Sequence, residues 1–118
     1  SRAKIIAIDF DDCLCEGGYP DITKGKLIES TVHKMNEQLK LNPNTDFILW
    51  TSRVGEKFQD AVLFCQEHNL PIKYFNEYHP YSLAWFPEVN VLDGKLHKLY
   101  ADEYWDDKSV PMGNVKTN

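Results

Sequence analysis

Apolar residues occur along the chain in short continuous runs that alternate with stripes spaced three and four residues apart. The runs at Lys4–Ile8 and at residues 47–50 are each followed by a polar residue. This pattern is typical of central parallel strands that are covered on both faces. Ile72–Phe75 is predicted as a third strand, and residues 101–105 as a weaker fourth strand.

Two amphipathic helices are predicted between the first three strands. Their apolar stripes consist of Leu27, Ile28, Thr31, Val32, Met35 and Leu39 in the first helix, and of Phe58, Ala61, Val62 and Cys65 in the second. The alternation of strands and helices predicts an α/β fold, a Rossmann-like three-layer sandwich with a mostly parallel central sheet. We expect one domain over residues 1–118, with an irregular loop at 10–24, an aromatic-rich loop at 76–97 and a polar tail from about residue 111.

Composition narrows the class of protein. With 118 residues, of which 42% are apolar and 26% charged, the chain has the size and content of one globular domain. No apolar run approaches the ~20 residues of a membrane span, and no secretory signal is visible, so we expect no membrane partner. The odd, low cysteine count then predicts reduced thiols in a cytoplasm. The four histidines lack metal-ligand spacing, and we expect them mostly at the surface, although His79 and His97 could line the aromatic-rich loop.

The formal net charge of −5 argues against stable binding of nucleic acids, which requires clustered lysine and arginine. A nucleotide substrate stays open, because a bound cation inverts the local field. Acidic residues follow two of the predicted strands: Asp9 and Asp11 the first, Asp106 and Asp107 the fourth. If these strands are neighbours, the carboxylates converge at one edge of the sheet, where Mg²⁺ would offset their repulsion.

Other residues fit the same edge. Thr51 offers a hydroxyl and a backbone N–H to a phosphate oxygen, and Lys98 could reach back to this edge. Each of these residues also has an ordinary structural explanation, because acids and threonine are common at strand ends and most lysines are solvated. The combination at matching strand ends favours a functional site.

The sequence resembles the haloacid dehalogenase superfamily of phosphatases in four motifs. These are the strand and acids of residues 6–14, the strand of residues 47–51 ending in Thr51, the lone basic Lys98, and residues 104–107 ending in two acids. They occur in the family's order and cover residues 5–107. Residues 50–56 and 98–108 are most similar to small, capless bacterial and phage members, and no full cap domain fits between the motifs.

The resemblance implies a Mg²⁺-dependent phosphohydrolase that acts on a small phosphomonoester, a nucleotide or a sugar phosphate, through an aspartyl-phosphate. Asp9 would be the nucleophile, Asp11 the general acid and base, and Lys98 a source of charge relief. The implied substrate-binding residues are Thr51, Ser52 and Arg53, and the implied metal ligands are Asp9, Asp11 through its carbonyl, Asp106 and Asp107. Arg53 could bind an anionic leaving group or pair with Glu56.

Two positions depart from the family pattern. Asp12 replaces the usual glycine, and we expect the fold to survive because aspartate tolerates unusual turn conformations. Cys13 replaces the usual threonine, so the hydroxyl that braces the loop is lost and catalysis could weaken.

Three further interpretations stay open. The aromatic residues 74–86 could stack on a base or sugar, cover the sheet, or form a homodimer contact. The domain could bind Mg²⁺ and a phosphorylated ligand, or a protein, without catalysis. A response-regulator receiver is disfavoured, because Phe75, Asn76 and Glu77 occupy the place of its phosphoacceptor aspartate.

Overall fold

The computed structural model describes residues 2–85 and 100–106. Within them, strands and helices alternate in the order that the apolar pattern predicts. The strands are β1 Lys4–Ile8, β2 Cys15–Glu16, β3 Lys26–Leu27, β4 Thr45–Leu49, β5 Ile72–Phe75 and β6 Glu103–Trp105; the helices are α1 Glu29–Leu41, α2 Gly55–Glu67 and α3 Pro80–Trp85. The protein is an α/β domain of the Rossmann-like type.

Four strands form the central sheet in the order β5-β4-β1-β6, and every pair is parallel. The inner strands β1 and β4 alternate between two apolar clusters on opposite faces. Ile6 and Ile8 pack with Met35 of α1 and Phe64 of α2 on one face, whereas Ile5 belongs to the cluster on the other face. Both helices therefore cover the same face of the sheet.

The strand order creates a switch point beside β1. From β1 the chain moves through α1 to β4 and through α2 to β5, always in one direction. It then returns past both strands and adds β6 on the other side of β1. In open parallel sheets, ligands bind at the carboxyl ends of strands at such a point. The fold thus places the crevice between the ends of β1 and β6.

The predicted strands are largely confirmed. β1 and β5 have the predicted bounds, β4 begins earlier than expected and ends at Leu49, and β6 begins at Glu103. The predicted loop at 10–24 contains part of a small antiparallel hairpin, β2–β3, and a 3-10 turn at Ile22–Lys24. Helix α3 lies inside the predicted aromatic loop, and the predicted polar tail lies outside the described residues.

No helix in the described part of the chain is both long enough and apolar enough to cross a membrane.

β4 begins at Thr45 because it pairs with β1 from Lys4 onward, so the buried Asp46 lies within the strand. Asp46 accepts a hydrogen bond from His79 Nε2 at 2.7 Å and pairs with Lys73 Nζ at 2.9 Å. Burial raises the pKa of Asp46, but the bonds from His79 and Lys73 outweigh it and leave the pKa below its usual value. His79, which the sequence set apart from the surface histidines as a residue that could line the loop, is buried and bonded to Asp46 of β4.

The segment between the first strand and α1 forms a flap, residues 12–27. Its two arms approach closely at Gly18 and Gly25, with the Cys15 thiol between them. A Cβ at Gly18 would lie 2.7 Å from Cys15 Sγ, and one at Gly25 would lie 2.5 Å from it. Larger residues do not fit at either position, so this contact fixes the shape of the flap.

Candidate active site

Residues that follow three adjacent strands line one cavity of about 300 Å³ at the switch point. Asp9 follows β1, Thr51 and Ser52 come after β4, and Asp106 follows β6. The backbone hydrogen bonds between β1 and β6 continue beyond the end of β1, since Asp9 N–H donates to Trp105 O at 2.9 Å. Of the four acids that the sequence places after the first and fourth strands, the structure thus brings Asp9 and Asp106 together at this cavity.

Asp9 is held in a partly buried position that disfavours its charge. The Phe10 N–H donates to Asp9 Oδ1 at 2.8 Å and orients the carboxylate. Burial, above all, raises the pKa of Asp9 to about 6 against this hydrogen bond, and the neighbouring carboxylates of Asp106 and Asp11 contribute to the same rise. Asp106 lines the same cavity as Asp9, so the two carboxylates lie at one site.

The raised pKa makes a testable prediction for the metal-free protein. Between about pH 4 and 6 the folded state holds a proton on Asp9 that the unfolded state has lost, so stability falls as pH rises through this range. Asp9→Asn removes the buried charge. We expect this variant to be about 2 kcal/mol more stable than the native chain at pH 7, and equally stable below pH 4. Urea unfolding with a chelator present measures both values.

The control is Asp12→Asn, which removes an exposed carboxylate from the following turn. We expect it to change stability at pH 7 by less than about 0.5 kcal/mol. Equal stabilities of the Asp9→Asn variant and the native chain at pH 7 would contradict the burial of charge at Asp9.

Asp11 lies beyond this cavity and forms a bidentate ion pair with Arg53. Arg53 Nε donates to Asp11 Oδ2 at 2.9 Å, and Nη2 donates to Oδ1 at 2.8 Å. The Arg53 side chain is only 2% exposed, and the hydrogen bond to Asp11 raises its pKa above the ordinary value. The Arg53 guanidinium is therefore permanently charged, and its two hydrogen bonds hold the Asp11 carboxylate in place.

Arg53 also joins the flap to α2. Its Nη2 donates to Gly18 O at 3.1 Å, its Nη1 donates to Lys57 O at 3.1 Å, and its guanidinium stacks between the Phe10 and Tyr19 rings. The sequence left open a pairing with Glu56 or a bond to the substrate. In the structure, these donors of Arg53 are used within the protein.

Thr51 is positioned by a residue that sequence reasoning missed. The Asn76 side chain accepts a hydrogen bond from Thr51 N–H at 2.8 Å and donates to Thr51 O at 2.9 Å. Asn76 follows β5 and has φ 53°, a conformation that asparagine adopts more readily than most residues. The Thr51 N–H thus donates to Asn76, and Thr51 Oγ1 accepts from Arg53 N–H at 3.2 Å, which leaves the hydroxyl hydrogen as the donor that Thr51 can offer to a ligand.

The turn after Asp9 accommodates both departures from the family pattern. Asp12 has φ 62°, which confirms the expectation that aspartate tolerates this turn. The Cys13 thiol lies 3.7 Å from Trp105 O, a weak hydrogen bond, and the Thr31 hydroxyl of α1 donates to Cys13 O at 2.6 Å. A side chain from α1 therefore braces the loop where the usual threonine is absent.

The donor set fits a hard divalent cation of the Mg²⁺ kind. Among residues 2–85 and 100–106, no three histidine, cysteine or acidic side chains form a metal-holding group. Two carboxylates, Asp9 and Asp106, remain at the switch point, and Mg²⁺ is usually held by one or two carboxylates with several waters. Lys98 and Asp107, the other predicted members of the site, lie outside the described residues.

The aromatic residues of the predicted loop are mostly structural where they are described. Tyr74 and Tyr78 pack on the Ile5 cluster, and Phe75 packs on the Ile6 cluster. Tyr81 remains partly exposed on α3. The described rings other than Tyr81 thus pack against the two faces of the sheet.

Comparison with known proteins adds support for the fold. No family model and no curated protein matches the chain. A solved structure of a conserved protein from Bacteroides thetaiotaomicron is similar, with 28% identity and a TM-score of 0.64. The match covers 98% of this chain and 87% of that protein, whose description names no activity. The α/β architecture is therefore shared with a bacterial protein over almost the whole chain.

Proposed function

We propose that the protein is a Mg²⁺-dependent phosphohydrolase that acts on a small phosphomonoester through an aspartyl-phosphate on Asp9. The observation that carries this proposal is the pair of carboxylates, Asp9 and Asp106, that line one cavity at the switch point of a parallel sheet. Thr51 lies on the same cavity and supplies a hydroxyl. The four-motif resemblance points to the same chemistry.

The proposed reaction has two displacements at phosphorus. Asp9 attacks the phosphoryl group, the bond to the ester oxygen breaks, and the leaving oxygen takes a proton. Water then attacks the phosphorus of the aspartyl-phosphate, which releases phosphate and restores the Asp9 carboxylate. Thr51 donates its hydroxyl hydrogen to a phosphoryl oxygen in both steps, and the Phe10 N–H keeps Asp9 oriented.

Asp9 and Asp106 would hold the cation. When bound, Mg²⁺ supplies positive charge that offsets the repulsion between these carboxylates and the anionic phosphoryl group. Lys98 and Asp107 are proposed to complete the site, as the resemblance implies.

Asp11 is proposed as the group that exchanges protons with the leaving oxygen and with water. Arg53 holds both of its oxygens, at 2.8 and 2.9 Å, and so sets where the carboxylate stands. We place the reaction in a reducing cytoplasm, because Cys13, Cys15 and Cys65 are buried free thiols.

Trapping the covalent intermediate tests this function. The chain is incubated with phenyl phosphate and Mg²⁺, quenched in acid and digested for mass spectrometry. We expect one phosphoryl group on the peptide that contains Asp9, and none when Mg²⁺ is replaced by a chelator. Turnover without any phosphoryl group on this peptide would refute covalent catalysis by Asp9.

One observation favours the non-catalytic alternative, a domain that binds Mg²⁺ and a phosphorylated ligand. Both Asp11 oxygens are engaged by a buried guanidinium, which restricts proton transfer by this carboxylate. That alternative predicts Mg²⁺-dependent binding of phosphate in calorimetry together with no turnover of any phosphomonoester.

A further inference from the structure

We propose that the cavity between the flap and the start of α2 binds the leaving group of the substrate, and that this group carries a planar, uncharged ring. This inference rests on the proposed function and names its substrate class. The cavity measures about 480 Å³ and is separate from the cavity that contains Asp9. Its walls are Asp11, Gly18 and Tyr19 from one side and Ser52, Val54 and Lys57 from the other.

The two cavities divide the proposed catalytic groups. Asp9, the nucleophile, lines only the first cavity, and Asp11, the proton donor to the leaving oxygen, lines only the second. Ser52 lines both and marks their junction. An in-line displacement expels the leaving group on the side opposite the nucleophile. The phosphoryl group in the first cavity would therefore direct the remainder of the substrate into the second.

The second cavity offers a fixed aromatic surface. The Tyr19 ring stacks on the Arg53 guanidinium at 5.0 Å, and Arg53 is itself fixed by Asp11 and Gly18 O. Tyr19 is nevertheless 62% exposed, so the ring presents open surface to a ligand. Val54 adds an apolar side chain that is 74% exposed at the same cavity. A ring and an aliphatic group around one cavity favour a flat, apolar occupant.

The balance of charges among the residues that line the second cavity favours an uncharged ligand group. Asp11 and Asp12 carry two negative charges, and Arg53 and Lys57 carry two positive charges. Arg53 is already paired with Asp11, and Lys57 Nζ donates to Pro20 O at 2.8 Å. Among the described residues that line this cavity, positive and negative charges are equal, so no excess of positive charge is left to bind a second phosphate. A phenyl ring or a nucleobase fits this balance better than a bisphosphate does.

Calorimetry on Asp9→Asn with Mg²⁺ tests the subsite without turnover. The probes are phenyl phosphate and inorganic phosphate. We expect phenyl phosphate to bind about 5- to 150-fold more tightly, since one ring stack contributes about 1–3 kcal/mol. Adding Tyr19→Ala should remove most of this advantage, and Tyr19→Phe should restore it. The matched control, Tyr81→Ala, removes a partly exposed ring from α3, which lines neither cavity.

Each outcome has one meaning. If phenyl phosphate loses its advantage in Tyr19→Ala but keeps it in Tyr81→Ala, the subsite is supported. If phosphate binds but the phenyl ring adds nothing, or its contribution survives Tyr19→Ala, the subsite is refuted and the proposed function stands. If neither probe binds and the native chain turns over no phosphomonoester, the proposed function fails and the subsite fails with it.

Discussion

Asp9→Asn is expected to lower kcat for phenyl phosphate hydrolysis at least about 10³-fold, because an amide cannot form the acyl phosphate. The same substitution should raise the stability of the metal-free protein at pH 7, because burial raises the pKa of Asp9 to about 6. An inactive but more stable variant separates loss of chemistry from loss of fold. Initial rates at saturating Mg²⁺ give the first quantity, and urea unfolding gives the second.

Two variants sharpen the kinetic result. Asp11→Asn keeps the nucleophile and removes the proposed proton donor, so we expect a fall in kcat of about 10²- to 10⁴-fold. Glu67→Gln removes an exposed charge at the end of α2 and serves as the control for net charge. Turnover that survives Asp9→Asn at the native rate would eliminate Asp9 as nucleophile.

Arg53→Ala is expected to have the largest effect on stability. The substitution removes a guanidinium that is 2% exposed, leaves Gly18 O and Lys57 O without its hydrogen bonds, and opens a gap beside the Phe10 ring. Breaking a buried ion pair from one side costs about 3–5 kcal/mol. Because Asp11 is partly exposed, we expect about 3 kcal/mol, measured by urea unfolding.

Arg2 provides the matched control. It also forms a bidentate pair, with Asp102 at 2.8 and 3.0 Å, but through Nη1 and Nη2, and its side chain is 40% exposed. Arg2→Ala should therefore lower stability far less than Arg53→Ala does. Equal losses in the two variants would show that the burial of Arg53 contributes nothing. Arg53→Ala should also lower kcat/KM, because Asp11 loses the group that positions it.

The strands and their shared edge could be predicted from sequence because local pattern determines them. β1 and β5 are short, mostly apolar segments that are followed by polar residues. Their predicted bounds match the structure. The convergence of Asp9 and Asp106 required one further condition, that the first and last strands be neighbours. β1 and β6 pair directly, so this condition is met.

The features that sequence reasoning missed depend on contacts between distant residues. The partner of Arg53 is Asp11, 42 positions away, whereas the local pattern offered only Glu56. Asn76 acts on Thr51 across 25 positions. The flap hairpin follows from the fit of the Cys15 thiol between two glycines, and no periodicity signals such a contact. The one local signal for Asn76 was an asparagine directly after a strand, a position that favours left-handed backbone.

The two hydrogen bonds between the Asn76 side chain and the Thr51 backbone have a consequence for how the protein loses function. Among the four strands of residues 2–85 and 100–106, β5 and β6 lie at the two edges of the sheet. The bonds from Asn76 tie the β5 edge to the candidate site, and Asp106 follows β6 at the other edge. Margins of a sheet open locally at lower free energy than its centre. The candidate site therefore depends partly on edge strands, which open locally at low free energy. A local opening that leaves the hydrophobic core folded is enough to separate the residues of the site.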